Sequence, residues 1–405
     1  MLQALSVRNF KNLARIPEAD GDFVHFGPLN VLIGPNGCGK SSLLQAMDFL
    51  RAFFMSSVEV YLTERGWDYR DLPNLRQTQK AIHWKLKACL PDHPKWGGGG
   101  EYLYTVTLQP RRFVCVGTES LTYTEPGASA VELLSRRGRD CAILNRATKG
   151  TERLKTVNLP ASVMSQVDPS RDAEKYPELL RFRDWVQGFR LFLLWDPKIL
   201  RNPDRGKHEE IGPSGEHLAS VLGRMRERNP EAFERLVRRM RSLFPTLTDV
   251  SVSGKGWGWR RLWLHEGNGR EVLFKSQQMS DGILRVLAIC SILYQKDPPS
   301  VVMFEEPENG IHPRLIREVV QMLRELTLRK PPRNAQVFFS THSPYVLDEF
   351  YDHPEEVYCM ERSQPQSGAR IVRLSENRQL KDAIDIFGRS LGEAWTTGLI
   401  SAGIR

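Results

Sequence analysis

In LNVLIGPNGCGKSSLLQAM, Leu29 to Met47, an apolar strand-like run leads into a glycine-rich turn that opens directly into an apolar helix-like run. The turn carries the pattern G-x-x-x-x-G-K-[ST] at Gly34, Gly39, Lys40 and Ser41. No other feature constrains the fold as much, because the pattern has meaning only where a strand delivers the chain into the turn and a helix starts at its end. Glycines at Gly34, Gly37 and Gly39 permit left-handed backbone, so that successive N–H groups point inward and make an anion nest at a helix N-terminus. A nest of this kind suits a triphosphate. Lys40 supplies a point charge to the β and γ phosphates, and the Ser41 hydroxyl is placed to ligate magnesium. The expected nucleotide-binding set is Asn36, Gly37, Cys38, Gly39, Lys40, Ser41 and Ser42, with Cys38 as a spacer and not a nucleophile.

Three further segments fit this beginning. VVMFEEPENGIHP, Val301 to Pro313, runs four apolar residues into two adjacent carboxylates. A buried strand there delivers Glu305 to the metal side of a triphosphate, and Glu306, one residue on, polarises an attacking water. QVFFSTHSPYVLDEF is an apolar strand ending in Thr341-His342-Ser343, and a neutral imidazole in that position can hydrogen-bond a γ-phosphate and sense its loss. SQQMSDGILRVLAICSILY reads as a nearly all-apolar helix capped by Ser280.

Here the chain resembles a family. Met279-Ser280-Asp281-Gly282-Ile283, followed by Arg285, resembles the LSGGQ signature of ABC ATPases in the SDG form used by P-loop ATPases of the RecF/SMC/OLD type. Asn9-Phe10-Lys11-Asn12 resembles the opening of RecF-like ATPases, and Pro307 to Pro313 resembles the family's D-loop. The resemblance covers the N-terminal strands and phosphate loop and then Phe274 to Phe350. It implies an α/β fold: an ABC-ATPase, RecF-like P-loop core with an N-terminal antiparallel β subdomain and an α-helical insertion or lid. It also implies a homodimer, or a higher oligomer, that sandwiches ATP. In that arrangement Ser280, Asp281 and Gly282 of one subunit face the phosphates held by the other, and Asn309, Gly310 and His312 lie near the interface. Glu306, His342 and Lys40 are the implied catalytic residues, and Ser41, Glu305 and Gln166 the implied Mg2+ ligands. Many ABC ATPases have Asp then Glu where this chain has Glu305 then Glu306, so the metal carboxylate is one methylene longer. Gln166 is the best match for the family's Q-loop glutamine, and His312 serves equally as a loop cap.

The stretch between Met47 and Ser276 far exceeds what the core needs, so an insertion is expected. The reading divides the chain into 1–150, a first ATPase lobe with the antiparallel sheet, and 151–272, a helical, basic insertion ending in a hairpin turned by Glu266-Gly267-Asn268-Gly269. A second lobe follows at 273–350, and 351–405 completes the core and offers a partner contact. From Thr151 the pattern turns helical, with Leu179, Phe182, Trp185 and Val186 at helical spacing before a short strand, Leu191 to Trp195. No stretch sustains heptads long enough for a coiled coil.

Formal net charge is +9, from 57 Lys and Arg against 48 Asp and Glu. Arg235, Arg238, Arg239 and Arg241 lie largely outside the apolar face of one amphipathic helix, and Arg136, Arg137, Arg139, Arg201, Arg205, Lys207, Lys255, Arg260 and Arg261 add to the basic middle. A stripe of this kind tracks a nucleic-acid backbone or is simply a solvated face, and DNA is a candidate partner. The six cysteines lack C-x-x-C spacing and nearby histidine clusters, which argues against a metal site or a disulfide framework and for reducing cytoplasm. No apolar run approaches the ~20 residues needed to cross a bilayer, so no membrane partner is expected. Too few residues follow His342 for the TOPRIM nuclease domain of OLD-type proteins, so an effector such as a nuclease is expected as a separate protein. The sequence reading is an ATP-hydrolysing sensor subunit in a DNA-associated or antiphage defence system. The alternatives are a RecF-like DNA repair ATPase and, less in keeping with the motifs, a transporter's nucleotide-binding subunit.

Overall fold

Alternation decides most of the first half of the chain. IHWKLKACL buries Ile82, Trp84, Leu86, Ala88 and Leu90 on one face of a strand and exposes Lys85, Lys87 and Cys89 on the other. In the computed structural model this strand, Ile82–Leu90, belongs to a nine-stranded sheet. The structure describes residues 1–401 apart from 18–22, 98, 111–113, 156–159, 194–195, 207, 255–257, 268–269, 330–333 and 363–368. The chain divides into two compact units: Met1–Phe189 with Pro354–Asp382 and Gly398–Arg405, and Arg190–His353 with Ala383–Thr397.

The nine-stranded sheet lies in the first unit. From Ile82–Leu90 it runs as an antiparallel meander through Gly100–Pro110, Val114–Thr124, Val131–Arg137, Asp140–Asn145 and Gly150–Lys155. On its other side Ile82–Leu90 pairs with Leu2–Phe10, which also pairs with Leu13–Ile16 and Val24–His25. The helical pattern expected from Thr151 therefore starts later, at Pro177–Gln187, because Gly150–Lys155 closes a hairpin on Asp140–Asn145. The helix Lys40–Phe54 is held by aromatic packing along its length. Phe49 stacks on Trp84 with centroids 5.6 Å apart, and Phe54 meets Tyr104 at 5.2 Å and Phe182 at 5.9 Å. Each of these fully buried rings contributes about 1.5–3 kcal/mol, so the glycine-rich turn is mounted on a rigid helix.

The strand Leu29–Ile33 is buried throughout, as its continuous apolar run demands. Its parallel neighbour, Val357–Arg362, comes from the far end of the chain with Val31 opposite Val357 and Ile33 opposite Cys359, and Ala369–Arg373 adds antiparallel outside it.

In the second unit Val301–Glu305 and Gln336–Ser340 pair in parallel, every residue buried, with the helix Ile316–Thr327 between them in sequence. The helix Asp281–Tyr294, buried from Leu284 to Leu293, packs among Leu218–Arg228, Pro230–Leu243 and Ile316–Thr327. The strands Leu247–Ser253, Trp259–Glu266 and Val272–Lys275 form an antiparallel set. Asn268 and Gly269 of the expected hairpin turn, Lys207, Lys255 and the end of the expected strand at Trp195 lie outside the described residues. The longest described helix has 15 residues, too short for SMC-like arms, and no described helix is long and apolar enough to cross a membrane.

Candidate nucleotide site

In the first unit Gly34, Gly37 and Gly39 all take positive φ, at 150°, 76° and 113°. Two of these glycines are boxed in. A Cβ on Gly34 would sit 2.1 Å from the Met360 carbonyl oxygen, and one on Gly39 would sit 2.6 Å from Leu13 Cδ2, whereas Gly37 faces open space. The strand Val357–Arg362 and the hairpin strand Leu13–Ile16 thus shape the loop from behind. The Lys40 ammonium folds into it, donating to the Gly34 carbonyl at 2.7 Å and the Pro35 carbonyl at 3.1 Å. The helix starts at Gly39 with no side-chain cap, which leaves its first N–H groups suited to an anion. Pro35, Asn36 and Gly37 are exposed, Ser41 is half-buried and Ser42 is buried. Burial pushes the Cys38 thiol above its ordinary range, so it stays protonated and unreactive at neutral pH. The turn fits a phosphate chain: a concave backbone, an uncapped helix end and a buried ammonium converge on it.

In the second unit the strand ends converge. Glu305 pairs in register with Ser340 and its side chain is buried. Glu306 then takes left-handed backbone, φ 48°, while its N–H still donates to the Ser340 carbonyl at 3.0 Å. A non-glycine residue there costs about 1–2 kcal/mol, and the turn carries the carboxylate out of the core to a partly exposed position. His342 Nε2 lies 3.2 Å from Glu306 Oε1. Beneath them the Thr341 hydroxyl donates to Glu308 Oε1, while Glu308 Oε2 is buried with no hydrogen-bond partner. Burial raises the Glu308 carboxyl above the usual carboxylate range, and the Glu306 charge adds to the effect.

The signature segment adjoins this acidic turn within the same unit. Ser280 caps the helix Asp281–Tyr294, its hydroxyl accepting from the Ile283 N–H at 3.4 Å, and Ser280 and Asp281 are exposed. Arg201 braces them, donating to Asp281 and, at 2.9 Å, to the Met279 carbonyl. Gly310, at φ 71°, leaves room for Arg285: a Cβ on Gly310 would lie 2.5 Å from Arg285 Nη1. A Cβ on Gly282 would lie 3.2 Å from the Gly310 carbonyl oxygen. Signature and D-loop are thereby interlocked. His312 Nδ1 accepts from the Arg314 N–H at 3.2 Å and caps the turn Pro313–Leu315, so of its two expected uses the capping one is made here, while Asn309 and Gly310 are exposed.

Residues 29–132 and 143–348 match the family described as AAA domain, putative AbiEii toxin, Type IV TA system. The chain belongs to that family. The fold of this AAA-domain protein is that of ABC-type P-loop ATPases of the RecF/SMC group. It is similar to an Smc head crystallised with the C-terminal winged-helix domain of ScpA, at 11% identity over 92% of this chain and 98% of that one, with a TM-score of 0.53. It is also similar to the Smc head domain with an extended coiled coil, bound to the C-terminal domain of ScpA, from Pyrococcus furiosus, at 10% identity over 95% and 99% of the chains and a TM-score of 0.50. The recombination mediator protein RecF of the RecFOR pathway matches at 11% identity over 91% and 98% of the chains, with a TM-score of 0.41. No curated protein matches the sequence significantly.

Other residues of this AAA-domain protein fall away from these motifs. Gln166 ends the short helical turn Val163–Gln166, exposed, just after Ser162 donates to the Phe53 carbonyl. Phe53 lies about 20 Å along the helix from Lys40, so the structure does not bring Gln166 to the phosphate loop. The basic residues also separate. Arg136 is buried against Glu119 at 3.6 Å and the Ala161 carbonyl, and Arg260 is buried against Glu227 and the Ser220 carbonyl. Arg239 pairs with Glu325 at 3.0 Å and Glu318 at 3.4 Å on the helix Ile316–Thr327, which corrects its expected place on a free basic face. Arg235, Arg238 and Arg241 are exposed. Arg226, Arg238 and Arg241 share an open groove of about 510 Å³ with the acidic Glu234 and Asp249 and the apolar Phe233. Sequence reasoning missed Arg201, Thr341 and Met360 as shapers of these motifs. Only Thr341, beside the switch histidine, carried a local signal.

Proposed function

We propose that the protein hydrolyses ATP, and that the pair of Glu306 and His342 does the chemistry. The observation that carries this reading is the 3.2 Å approach of His342 Nε2 to Glu306 Oε1 at the convergent ends of two buried parallel strands. A neutral imidazole donating to that carboxylate fixes its orientation, and the carboxylate accepts a proton from the attacking water. Lys40 and the N–H groups of Asn36 to Ser42 hold the triphosphate. Ser41 and Glu305 are the residues that would hold magnesium, which when bound neutralises phosphate charge. The Glu305 carboxylate at the end of a buried strand and the Ser41 hydroxyl are oxygen donors of the kind magnesium takes.

The exposed Ser280 and Asp281 and the half-buried Gly282 begin the helix Asp281–Tyr294, and a second copy's γ-phosphate is the proposed ligand of this N-terminus. Two chains sandwiching two nucleotides then form the working unit. A family described through a toxin–antitoxin system, and Smc heads solved with a separate ScpA domain, support an ATPase that signals to a separately encoded effector. Exposed Arg235, Arg238 and Arg241 support DNA as what it senses. A role in defence follows best from this combination; RecF-like repair is the second reading, favoured by the same arginines.

The test is Glu306→Gln in the full chain. It is expected to abolish nearly all phosphate release, retain ATP binding and shift the protein to a dimer when ATP and magnesium are added, read by mass photometry. Undiminished turnover removes Glu306 from the role, and a strictly monomeric ATP-bound protein removes the shared site.

A further inference from the structure

Two loops meet at Glu306 and His342, and a side chain outside that pair joins them. Glu308 lies two residues after Glu306, in a turn closed by the Asn309 N–H donating to the Glu306 carbonyl and the Ile311 N–H to the Glu308 carbonyl, each at 3.0 Å. From that turn its side chain reaches across to the end of the neighbouring strand, where Oε1 accepts from the Thr341 hydroxyl. The same hydroxyl accepts from the Ser343 N–H at 2.9 Å. Thr341 is fully buried, and its one hydroxyl proton and a lone pair are both committed in this way. His342 stands between the two residues so joined.

The imidazole needs such a hold. Its side chain is 35% exposed and that of Glu306 40%, so core packing encloses neither group, while the 3.2 Å between Nε2 and Oε1 depends on both. Glu306 is fixed from its own side, its N–H donating to the Ser340 carbonyl at 3.0 Å. His342 is fixed through its neighbours. The His342 backbone N–H also lies close enough to the Glu308 carboxyl to favour its charged form. A turn by itself needs no carboxylate: its hydrogen bonds run through the backbone, and burial makes an acid there costly. What the side chain adds is its reach to Thr341.

We infer that Glu308 is a positioning residue for hydrolysis: by holding Thr341 and the His342 backbone, it keeps the imidazole within hydrogen-bond reach of Glu306 without touching the nucleotide itself. This rests on the assignment of the chemistry to Glu306 and His342 made above. A small displacement is enough for a large effect, since a misplacement near 1 Å costs up to about 10²-fold in rate. Glutamine at 308 keeps an oxygen for the Thr341 hydroxyl, and alanine removes it.

The test is steady-state ATP turnover of the full chain with magnesium. Glu308→Ala is expected to lower kcat roughly 10–100-fold with KM unchanged, because the triphosphate is assigned to Lys40 and its loop. Glu308→Gln should restore most of the rate. Thr341→Val, which exchanges the hydroxyl for a methyl at the same buried position, should repeat the loss with Glu308 intact, and Thr341→Ser should keep the rate. In a His342→Ala background Glu308→Ala should add no further loss, since it acts through the imidazole. Equal losses from Glu308→Ala in both backgrounds, a raised KM with kcat unchanged, or full rate in Thr341→Val each overturns the inference while leaving Glu306 and His342 in their roles. Full turnover in His342→Ala overturns that assignment, and this inference with it.

Discussion

Replacing Gly39 with alanine separates two strains that the phosphate loop avoids by using glycine. The first belongs to the backbone: alanine at φ 113° costs about 1–3 kcal/mol, and no neighbour can relieve it. The second is steric. The new Cβ would lie 2.6 Å from Leu13 Cδ2, well inside ordinary contact, and overpacking of that order costs about 1–3 kcal/mol. Because the loop can distort without the helix Lys40–Phe54 unfolding, the penalty should appear mainly in nucleotide affinity. A combined loss near 3 kcal/mol corresponds to ~150-fold weaker binding of a fluorescent ATP analogue. Leu13→Val removes the obstructing methyl at its own cost of about 1 kcal/mol in stability, read from the urea midpoint. In the double variant, about tenfold of the lost affinity should return, a coupling near 1.4 kcal/mol. Gly34→Ala should resist any side-chain rescue, because its obstacle is the Met360 carbonyl in a strand held by ladders on both sides. Strictly additive losses in the Gly39→Ala/Leu13→Val cycle would refute the steric argument.

Arg201→Ala should lower ATP turnover about tenfold while leaving nucleotide affinity of the isolated chain unchanged, since it releases a charge-assisted brace worth roughly 1.5–3 kcal/mol from Met279 and Asp281; a parallel fall in both would contradict the bracing role. For Glu308, burial raises the folded-state pKa above the unfolded one, so its contribution to stability is present in acid and lost as pH rises through the folded value. Glu308→Gln is therefore expected to be more stable than wild type at pH 8, with the difference shrinking towards pH 4, and chemical denaturation across that range checks it. Replacing Arg235, Arg238 and Arg241 together should flatten the dependence of log affinity for duplex DNA on log salt by up to ~2.7, at about 0.9 per phosphate contact. Arg239→Ala should leave that slope alone and cost only about 0.5–1 kcal/mol of stability, its ion pairs being partly exposed.

The motifs were legible because each depends on local chemistry. Gly34 to Ser41 declares its turn through glycine positions, and FEEPENG declares a strand end through four apolar residues and two acids. Alternation likewise marks the strand around Trp84, since period two needs no knowledge of partners. What was hidden depends on contacts between distant parts of the sequence. Nothing near Arg201 announces that Asp281 is its partner, and Arg239 looked as free as Arg238 until Glu318 and Glu325 came round on another helix. Thr151 looked helical because its pattern was ambiguous, and pairing with Leu144 decided it.

The strand Val357–Arg362 also fixes when the protein becomes competent. Gly34 takes its shape against Met360, which follows 326 residues later (360 − 34). At about 5–20 residues per second, the ribosome needs roughly 16–65 s to supply that strand after the glycine has been made. Until then the phosphate loop lacks its rear wall, and the nascent chain carries the whole nucleotide motif without the means to set it. Capacity for ATP is thus acquired only after Met360 has been made, and a chain cut short before Val357 should carry the binding sequence without the binding.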